Sequence, residues 1–163
     1  MLKFVEDSEN NTYMRLVIQR VRKAKVDVSE KTIAEIKKGM LILVGIEDRD
    51  TEQDIEWAAK KIANLRIFDD SDGVMNCSIK EVSGDIILVS QFTLHASTKK
   101  GNRPAYIKAA KPAIAIPIYT KLREEIESQI GKSIQTGEFG ADMQVELIND
   151  GPVTILIDTQ NKE

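Results

Sequence analysis

The stretch Met40-Leu41-Ile42-Leu43-Val44-Gly45-Ile46 is an uninterrupted apolar run. Such a run is typical of a central strand that is buried on both faces of a sheet. A second run of the same kind, Ile86-Ile87-Leu88-Val89, follows later in the chain and leads directly into polar residues. Together the two runs predict a sheet with a fully buried centre.

The first part of the chain carries strand patterns before it carries a helix pattern. Residues 15–28 contain two alternating stretches and residues 32–36 a further one; with the run from Met40 they predict a β-meander. Thr51, with Asp54 three residues later, forms a helix-capping pattern, and apolar residues at helical spacing follow it. The chain is therefore expected to open with a meander followed by a helix.

The second half of the chain combines one long helix with two closing strands. Pro112 and Pro117 predict short helical pieces before a helix over residues 118–130, because proline removes a backbone donor from a helix interior. Residues 144–148 and 153–158 have the composition of strands. Helices and strands thus occur in one chain without a linker between them.

Length and composition are those of one α/β domain. The chain has 163 residues, 42% hydrophobic and 30% charged, so one ordinary core suffices. Residues 14–163 are assigned to a single layered domain of mixed sheets packed with helices, and the polar residues 1–13 to an N-terminal extension. No apolar run approaches the roughly 20 residues that a membrane-spanning helix needs, and no signal-peptide core is found. A cytoplasmic protein without a membrane partner is expected.

Several kinds of active site are excluded by the residues that the chain lacks. Cys77 is its only cysteine and His95 its only histidine, so no disulfide framework, no Cys- or His-based metal centre and no cofactor are expected. A nucleophile elbow, a phosphate-binding glycine loop and a zinc-protease motif are also missing. If the strand continues past Val89, Thr93 and His95 share one face and form a pair, although no third member is fixed. The alternative for His95 is an ordinary, partly exposed strand-end position.

Charge is segregated along the chain although its total is small. The formal net charge of −3 argues against a non-specific nucleic-acid coat. Between residues 86 and 123, however, no residue is acidic, and the basic residues are Lys99, Lys100, Arg103, Lys108, Lys111, Lys121 and Arg123. This segment is either a solvated face or a local phosphate-binding face on an acidic protein.

Two segments place polar or rigid residues beside predicted strands. The segment Ser90-Gln91-Phe92-Thr93 ends a buried strand, so its polar groups either satisfy one another in an internal network or form the floor of a pocket. The segment Asp150-Gly151-Pro152-Val153 lies between two strands. It is either a tight hairpin turn or, with a cis Gly–Pro bond, a rigid point that holds two backbone carbonyls side by side.

The chain resembles the bacterial-type D-aminoacyl-tRNA deacylases. Five segments carry the match in order: MRLVIQRV at 14–21, VSQFTL at 89–94, GNRP at 101–104, TGEFGADMQV at 136–145 and NDGPVT at 149–154. The match extends from Met14 to about Asp158, nearly the whole chain, and five segments in the right order make it specific. The resemblance implies a layered α/β fold, a homodimer, and hydrolysis of the ester bond of D-aminoacyl-tRNA, including glycine mischarged on tRNA(Ala).

The resemblance also implies roles for particular residues. It implies a catalytic strand end at Ser90, Gln91, Phe92 and Thr93. A cis Gly151–Pro152 peptide, braced by Arg20, is expected to reach into the active site of the partner subunit. The pocket for the 3′-terminal adenosine of tRNA is expected to be lined by Thr136, Gly137, Phe139, Ala141 and Met143. Acceptor-stem phosphates are expected to contact the basic residues after the site strand, Lys99, Lys100 and Arg103.

An activated ester asks little of such a site. The site has to hold the ester, offer backbone N–H groups around Phe92 and Thr93 to the developing oxyanion, and admit water. Because no base is assured beside Thr93, we favour assistance by the substrate's 2′-hydroxyl over a covalent threonine intermediate. Carbonyls of Gly151 and Pro152 that grip the α-amino group would exclude L side chains. The alternatives are a non-catalytic tRNA-binding module or structural dimer on this fold, and a general small-ester hydrolase.

Overall fold

The computed structural model, which describes residues 13–163, is organised around one long strand, β1 (Arg15–Val28). The other strands are β2 (Lys31–Ile36), β3 (Gly39–Gly45), β4 (Phe68–Asp69), β5 (Met75–Cys77), β6 (Asp85–Ser90), β7 (Gln135–Thr136) and β8 (Met143–Asp158). The helices are α1 (Glu52–Asn64) and α2 (Pro112–Ile130). The extension predicted for residues 1–13 lies outside the described residues, apart from Tyr13.

The opening strands form one long hairpin, so the predicted β-meander is wrong. β1 pairs antiparallel with β2 and then with β3, and the register continues unchanged across the break between β2 and β3. The hairpin turns at Ser29 and Glu30, whose φ values of 49° and 63° fit a tight two-residue turn. Lys37 and Lys38 only interrupt a single return strand between β2 and β3.

The main sheet is mixed, as the sequence predicts. β8 lies antiparallel along the edge of β1 that faces away from β3, and β6 joins the other edge of β3 in parallel. β7 extends the sheet beyond β6, also in parallel. β4 and β5 form a separate small ribbon. The order β8, β1, β3, β6, β7 places β3 and β6 in the interior of the sheet.

Both faces of the central strands are buried. One face packs against the two helices through alternate residues of β1, β3 and β6: Leu16, Ile18, Met40, Ile42, Val44, Ile86 and Leu88. On the other face, the far half of the hairpin covers the remaining central residues in a second cluster: Val21, Ala24, Val26, Ala34, Ile36, Leu41, Ile87 and Val89. Register shifts on either side of Val21 let β1 bend, so that its first half contributes to the first cluster and its second half to the second cluster. Burial on two faces explains why the central strands are uniformly apolar.

Helix α1 begins where its capping pattern predicts. The Thr51 side chain accepts a hydrogen bond from the Asp54 N–H, and the Asp54 side chain accepts one from the Thr51 N–H. Its buried face is formed by the apolar residues expected from the spacing, Ile55, Ala58, Ala59 and Ile62. Across residues 13–163, no helix has both the length and the apolar character needed to cross a membrane.

Helix α2 starts at Pro112 and continues through Pro117, so the predicted interruption at Pro117 is wrong. The N–H that Pro117 lacks would have bonded to the carbonyl of Ala113, an exposed residue of the first turn where water can reach that carbonyl. The buried face of α2 consists of Ala115, Tyr119, Leu122 and Ile126. It brings a tyrosine into the core.

Candidate functional site

The end of β6 opens into a cavity, as one interpretation of this segment predicts. The backbone continues beside β3 for one more residue, because the Gln91 N–H donates to the Val44 carbonyl at 2.7 Å. The adjoining cavity has a volume of ≈ 250 Å³, and its opposite walls contain Ser90, Gln91 and Phe92, and Phe139, Gly140, Ala141 and Met143. The fold therefore brings together two segments that are far apart in the sequence.

Residues 92–95 form a 3₁₀ turn, not a continued strand. The Gln91 side-chain amide donates to the Thr93 hydroxyl at 2.5 Å, while Phe92 is 56% exposed. Ser90, Gln91 and Phe92 thus line a pocket, and one hydrogen bond joins Gln91 to Thr93. The first N–H groups of such a turn have no hydrogen-bond partner within the turn. The N–H groups of Phe92 and Thr93 are therefore not used by the turn's own hydrogen bonds.

His95 is buried, with 2% of its surface exposed, so the partly exposed position predicted for it is wrong. The shared face predicted for Thr93 and His95 is wrong too, because it assumed strand alternation and the segment is a 3₁₀ turn. The ring packs beside Gly45, where an added Cβ would lie 3.0 Å from the imidazole Cδ2. Within the described part of the chain, no hydrogen bond joins Thr93 to His95.

The titration of His95 tests this placement. Burial lowers the pKa of His95 below its ordinary value of 6.5, although the Gly45 backbone and the charge of Glu47 act in the opposite direction. The unfolded chain therefore takes up this proton at a higher pH than the folded protein. The resulting stabilisation is present above pH 6.5 and is lost as the pH falls towards the folded-state pKa. In an NMR titration the signals of this one imidazole should shift with a midpoint below 6.5; a midpoint above it would contradict the buried position.

The wall opposite Phe92 is built on the sheet and on Tyr119. Thr136 lies beside Leu88 in the β6–β7 pairing, and the Gly137 N–H donates to the Leu88 carbonyl at 3.0 Å. A Cβ at position 137 would lie 2.6 Å from the Met143 Sδ, so a larger residue there would displace the Met143 side chain. Thr136 and Gly137 were expected to line the pocket, but neither belongs to the cavity lining, because both are used in the pairing with β6; Met143 does line it.

Tyr119 is a functional-site residue that the sequence analysis missed. Its hydroxyl donates to the Leu88 carbonyl at 2.8 Å, and its ring meets Phe139 edge to face with centroids 5.9 Å apart. Burial raises the pKa of Tyr119 to about 12, so the hydroxyl remains a donor. The available signal was a tyrosine four residues after Ala115 on the apolar side of a helix. Tyr119 itself does not line the cavity; the lining residues that were missed are apolar: Val44, Ile46, Val89, Ala110, Ala115 and Val145.

The Gly151–Pro152 segment is a bulge inside β8, which excludes the hairpin-turn interpretation. Both halves of β8 run antiparallel to β1, and the pairing steps from Asn149 to Thr154 across the bulge. The Gly151–Pro152 bond is cis, as expected, and Gly151 has a φ of 149°. The base is closed by the Asn149 side chain, which accepts from the Val153 N–H at 2.7 Å. The bulge is therefore a defined and exposed projection from an edge strand.

The Arg20 side chain is hydrogen-bonded to the backbone of this bulge, which is the bracing contact that the resemblance implies. Its Nε donates to the Asp150 carbonyl at 2.8 Å. Its Nη1 donates to the Ile67 carbonyl at 2.7 Å and to the Asp69 carboxylate at 3.2 Å. The guanidinium is nearly buried, and it connects the bulge of β8 to the start of the β4–β5 ribbon.

A single chain does not bring the bulge and the cavity together. The bulge lies at the level of Arg20 on β1, whereas the cavity lies at the level of Leu16 and beyond β3. Three steps between strands and four residues along them correspond to a separation of about 20 Å. The bulge residues are also missing from the cavity lining.

The predicted phosphate-contacting residues lie on an exposed loop beside the cavity. Ser97 and Ala105 close the loop through two backbone hydrogen bonds of 2.7 and 3.0 Å. Between them, Lys99, Lys100 and Arg103 are all exposed. Among residues 13–163, no group of three or more His, Cys, Asp or Glu side chains is arranged to hold a metal ion.

Comparisons with known proteins agree on one family. The model of the family described as D-Tyr-tRNA(Tyr) deacylase matches residues 17–158. The chain is 65% identical to the D-aminoacyl-tRNA deacylase of Parabacteroides distasonis and 63% identical to that of Bacteroides fragilis. Each match extends over 150 residues, 92% of this chain and 100% of the relative.

Solved structures share the fold. A structure titled c-Myc DNA Unwinding Element Binding Protein is 38% identical, with a TM-score of 0.83, and covers 88% of this chain and 97% of its own. A probable eukaryotic D-amino acid tRNA deacylase is 17% identical, with a TM-score of 0.77, over 89% of this chain and 98% of its own. At 17% identity the second similarity shows the fold alone.

Proposed function

Because the chain belongs to the D-Tyr-tRNA(Tyr) deacylase family and is therefore a hydrolase of D-aminoacyl-tRNA esters, we propose that the ester is held and cleaved in the cavity at the end of β6. The supporting observation is that the cavity joins Ser90–Phe92 to Phe139–Met143. Water adds to the ester carbonyl, the bond to the ribose 3′-oxygen breaks, and that oxygen leaves with a proton. The products are free D-amino acid and tRNA, which makes the protein part of translation quality control.

The apolar part of the cavity suits the 3′-terminal adenosine. Phe139, Ala141 and Met143 offer an apolar and aromatic surface for a base. The Gly137 N–H anchors the neighbouring backbone to the Leu88 carbonyl, and the Tyr119 ring packs against Phe139. With the adenosine seated here, its 3′-ester points towards Ser90, Gln91 and Phe92, which line the cavity. Thr93 follows Phe92 directly and is not itself part of the lining.

The 3₁₀ turn supplies the catalytic groups that we propose. Backbone N–H groups of Phe92 and Thr93 stabilise the oxyanion that develops on the ester carbonyl. The Thr93 hydroxyl accepts a hydrogen bond from Gln91, which fixes its position and leaves its own proton free to donate. No base is bonded to this hydroxyl in the described residues. Activation of the attacking water therefore falls to the 2′-hydroxyl of the substrate.

Thr93→Ala is expected to lower single-turnover hydrolysis of D-Tyr-tRNA by less than about tenfold, because the hydroxyl positions groups and does not attack. A substrate whose terminal ribose lacks the 2′-hydroxyl should lose about 100-fold or more, the usual contribution of proton transfer. Thr93→Ser retains the hydroxyl and serves as the control. A far larger loss in Thr93→Ala, with Thr93→Ser active, would support a threonine nucleophile and contradict this assignment.

The central test compares D-Tyr-tRNA with L-Tyr-tRNA in single turnover, with glycyl-tRNA(Ala) as a third substrate and a chelator in parallel reactions. We expect rapid loss of the D-ester and of the glycyl ester, no loss of the L-ester, and no effect of the chelator. Binding of tRNA without hydrolysis of any ester would favour the non-catalytic binding module. Equal cleavage of the D- and L-esters would remove the chiral role of the bulge.

The separation of bulge and cavity supports a homodimer with composite sites. The exposed bulge lies about 20 Å from the cavity of its own chain. It can therefore contact a bound ester only in the cavity of a second copy of the chain. In this arrangement Gly151 and Pro152 of one protomer face the ester held by its partner and reject L side chains. We place this dimer in the cytoplasm, where charged tRNA is found.

The basic loop is proposed to bind acceptor-stem phosphates. Reversing the charges of Lys99 and Lys100 to glutamate should weaken tRNA binding and flatten the plot of log Kd against log salt by about 0.7–0.9 for each lost contact. Lys31 and Lys37, which are also exposed, serve as a control pair for charge reversal. An unchanged slope in the Lys99 and Lys100 variant would indicate that these residues form a solvated face and do not contact tRNA phosphates.

A further inference from the structure

The segment after the basic loop exposes large apolar side chains that the proposed chemistry does not use. Ile107 is 93% exposed and Tyr106 is 39% exposed. The Tyr106 ring meets Phe92 with centroids 5.1 Å and planes 78° apart. We call Phe92, Tyr106 and Ile107 the rim cluster. Adjoining apolar side chains in contact with solvent mark an interaction surface.

The rim cluster lies at the edge of the cavity. Phe92 belongs to both the cavity wall and the cluster. The backbone that follows is anchored to β3, because the Ala110 N–H donates to the Ile46 carbonyl at 2.9 Å, and both residues line the cavity. A chain that leaves the cavity past Phe92 therefore meets Tyr106 next.

The charges around the rim cluster identify the chemistry of its ligand. The loop with Lys99, Lys100 and Arg103 closes at Ala105, directly before Tyr106, and Lys108 follows the cluster. No acidic residue occurs between residues 86 and 123. Aromatic faces next to cations are the combination that binds single-stranded nucleic acid, since bases stack on rings and cations neutralise phosphates. An uncharged apolar partner would leave these cations without a counter-charge.

We propose that the rim cluster is a stacking platform for the unpaired nucleotides that precede the terminal adenosine of tRNA. The inference rests on the proposed function, because the adenosine must occupy the cavity for its neighbours to reach Tyr106. In an edge-to-face pair, the ring that presents its edge keeps both faces clear of its partner. Such a platform accepts any base, because stacking does not depend on base identity.

The experiment compares three D-tyrosyl esters: of adenosine alone, of the trinucleotide CCA, and of a CCA analogue whose two cytosines are replaced by abasic sites. The wild-type protein should have a higher kcat/KM for the CCA ester than for the adenosine ester. The abasic analogue keeps the phosphates and should lose most of this gain. In Tyr106→Ala the ratio of kcat/KM for the CCA ester to that for the adenosine ester should fall about tenfold, within the usual range for loss of one stacked base.

Matched variants separate stacking from general damage. Tyr106→Trp should preserve the ratio, because it keeps an aromatic face. Ile33→Ser removes an isoleucine on β2 that is also partly exposed, at 40%, and should not change the ratio. An equal fall in both esters for Tyr106→Ala would show that Tyr106 acts only by packing against Phe92, and would overturn the proposal. Full activity on the abasic analogue would overturn it as well.

Failure of the proposed function is recognised separately. If the wild-type protein cleaves none of the three esters, the catalytic assignment fails, and binding of fluorescent uncharged CCA then tests the platform by anisotropy. Tyr106→Ala should weaken this binding about tenfold, and the abasic analogue should bind the wild-type protein with a similar loss. Equal affinity of the wild-type protein and Tyr106→Ala for CCA would overturn the platform.

Discussion

Gly151→Ala should lower single-turnover hydrolysis of D-Tyr-tRNA by about 100-fold, the loss associated with a displacement of about 1 Å in a positioned group. Gly151 has a φ of 149°, in a region that L side chains rarely adopt. An added Cβ would lie 2.8 Å from the Val153 Cγ2, 2.9 Å from the Val153 nitrogen and 3.3 Å from the Arg20 Nη2. The bulge therefore has to move, and the ratio of D- to L-ester hydrolysis should fall with it.

The control for this variant is Gly73→Ala. Gly73 also has a positive φ, of 74°, but nothing lies within 4 Å of an added Cβ. Gly73→Ala therefore tests a substitution at another glycine of positive φ without the collision, and it should keep both the activity and the discrimination. Urea unfolding of both variants would show that each is folded. Unchanged activity and an unchanged D-to-L ratio in Gly151→Ala would remove the bulge from the site.

Mixed dimers test whether the bulge acts across subunits. Ala141→Trp would fill the cavity of its own chain, and Gly151→Ala would displace the bulge of its own chain. If each site combines one cavity with the partner's bulge, a randomly mixed population regains about one quarter of the wild-type sites, because half of the dimers are mixed and each has one intact site. No recovery, with mixed dimers demonstrated, would indicate that each site belongs to a single chain.

Replacing Arg20 with methionine should lower the free energy of unfolding by about 3 kcal/mol. The variant keeps much of the side-chain volume but leaves the Asp150 and Ile67 carbonyls without the guanidinium donors that they have at 2.8 and 2.7 Å. Each unsatisfied buried acceptor costs roughly 1–3 kcal/mol. The Asp69 contact adds little, because that carboxylate is 52% exposed. Urea titration measures the loss, and the D-to-L ratio should fall because the bulge loses its brace.

Two further variants serve as controls for Arg20→Met. Arg20→Lys keeps the charge, but one ammonium cannot reproduce the planar fork that serves two carbonyls at once, so an intermediate loss is expected. Arg22→Met removes an exposed arginine that contacts the Asp150 carboxylate at 3.4 Å and should cost less than about 0.5 kcal/mol. A loss in Arg20→Met as small as that in Arg22→Met would refute the bracing role.

Local sequence was informative wherever structure depends on neighbouring residues. The runs at 40–46 and 86–89 predicted the central strands, because burial on two faces removes polar residues from a strand. Thr51 and Asp54 predicted the start of α1, because a capping box is completed within three residues. The family resemblance likewise rested on short segments whose residues are read directly from the chain, and the family comparison confirms it.

Local patterns failed where a partner distant in the sequence decides the outcome. The meander prediction missed a continuous register that only the pairing of β1 with β2 and β3 reveals. Strand alternation was extended to His95 although the chain turns at Gln91. Pro117 was expected to break α2, but the carbonyl that it leaves unpaired belongs to an exposed residue.

Composition and short-range pattern by themselves determined the class of fold, the central strands, the first helix and the family of this protein. Only the tertiary structure decided which segments meet: Phe92 with Phe139 across one cavity, and Arg20 with the carbonyl of Asp150. It also separated the bulge from that cavity within one chain. The physical reason is that hydrogen-bond register and packing join residues across the whole chain, so they are settled by the complete set of pairings and not by any local stretch.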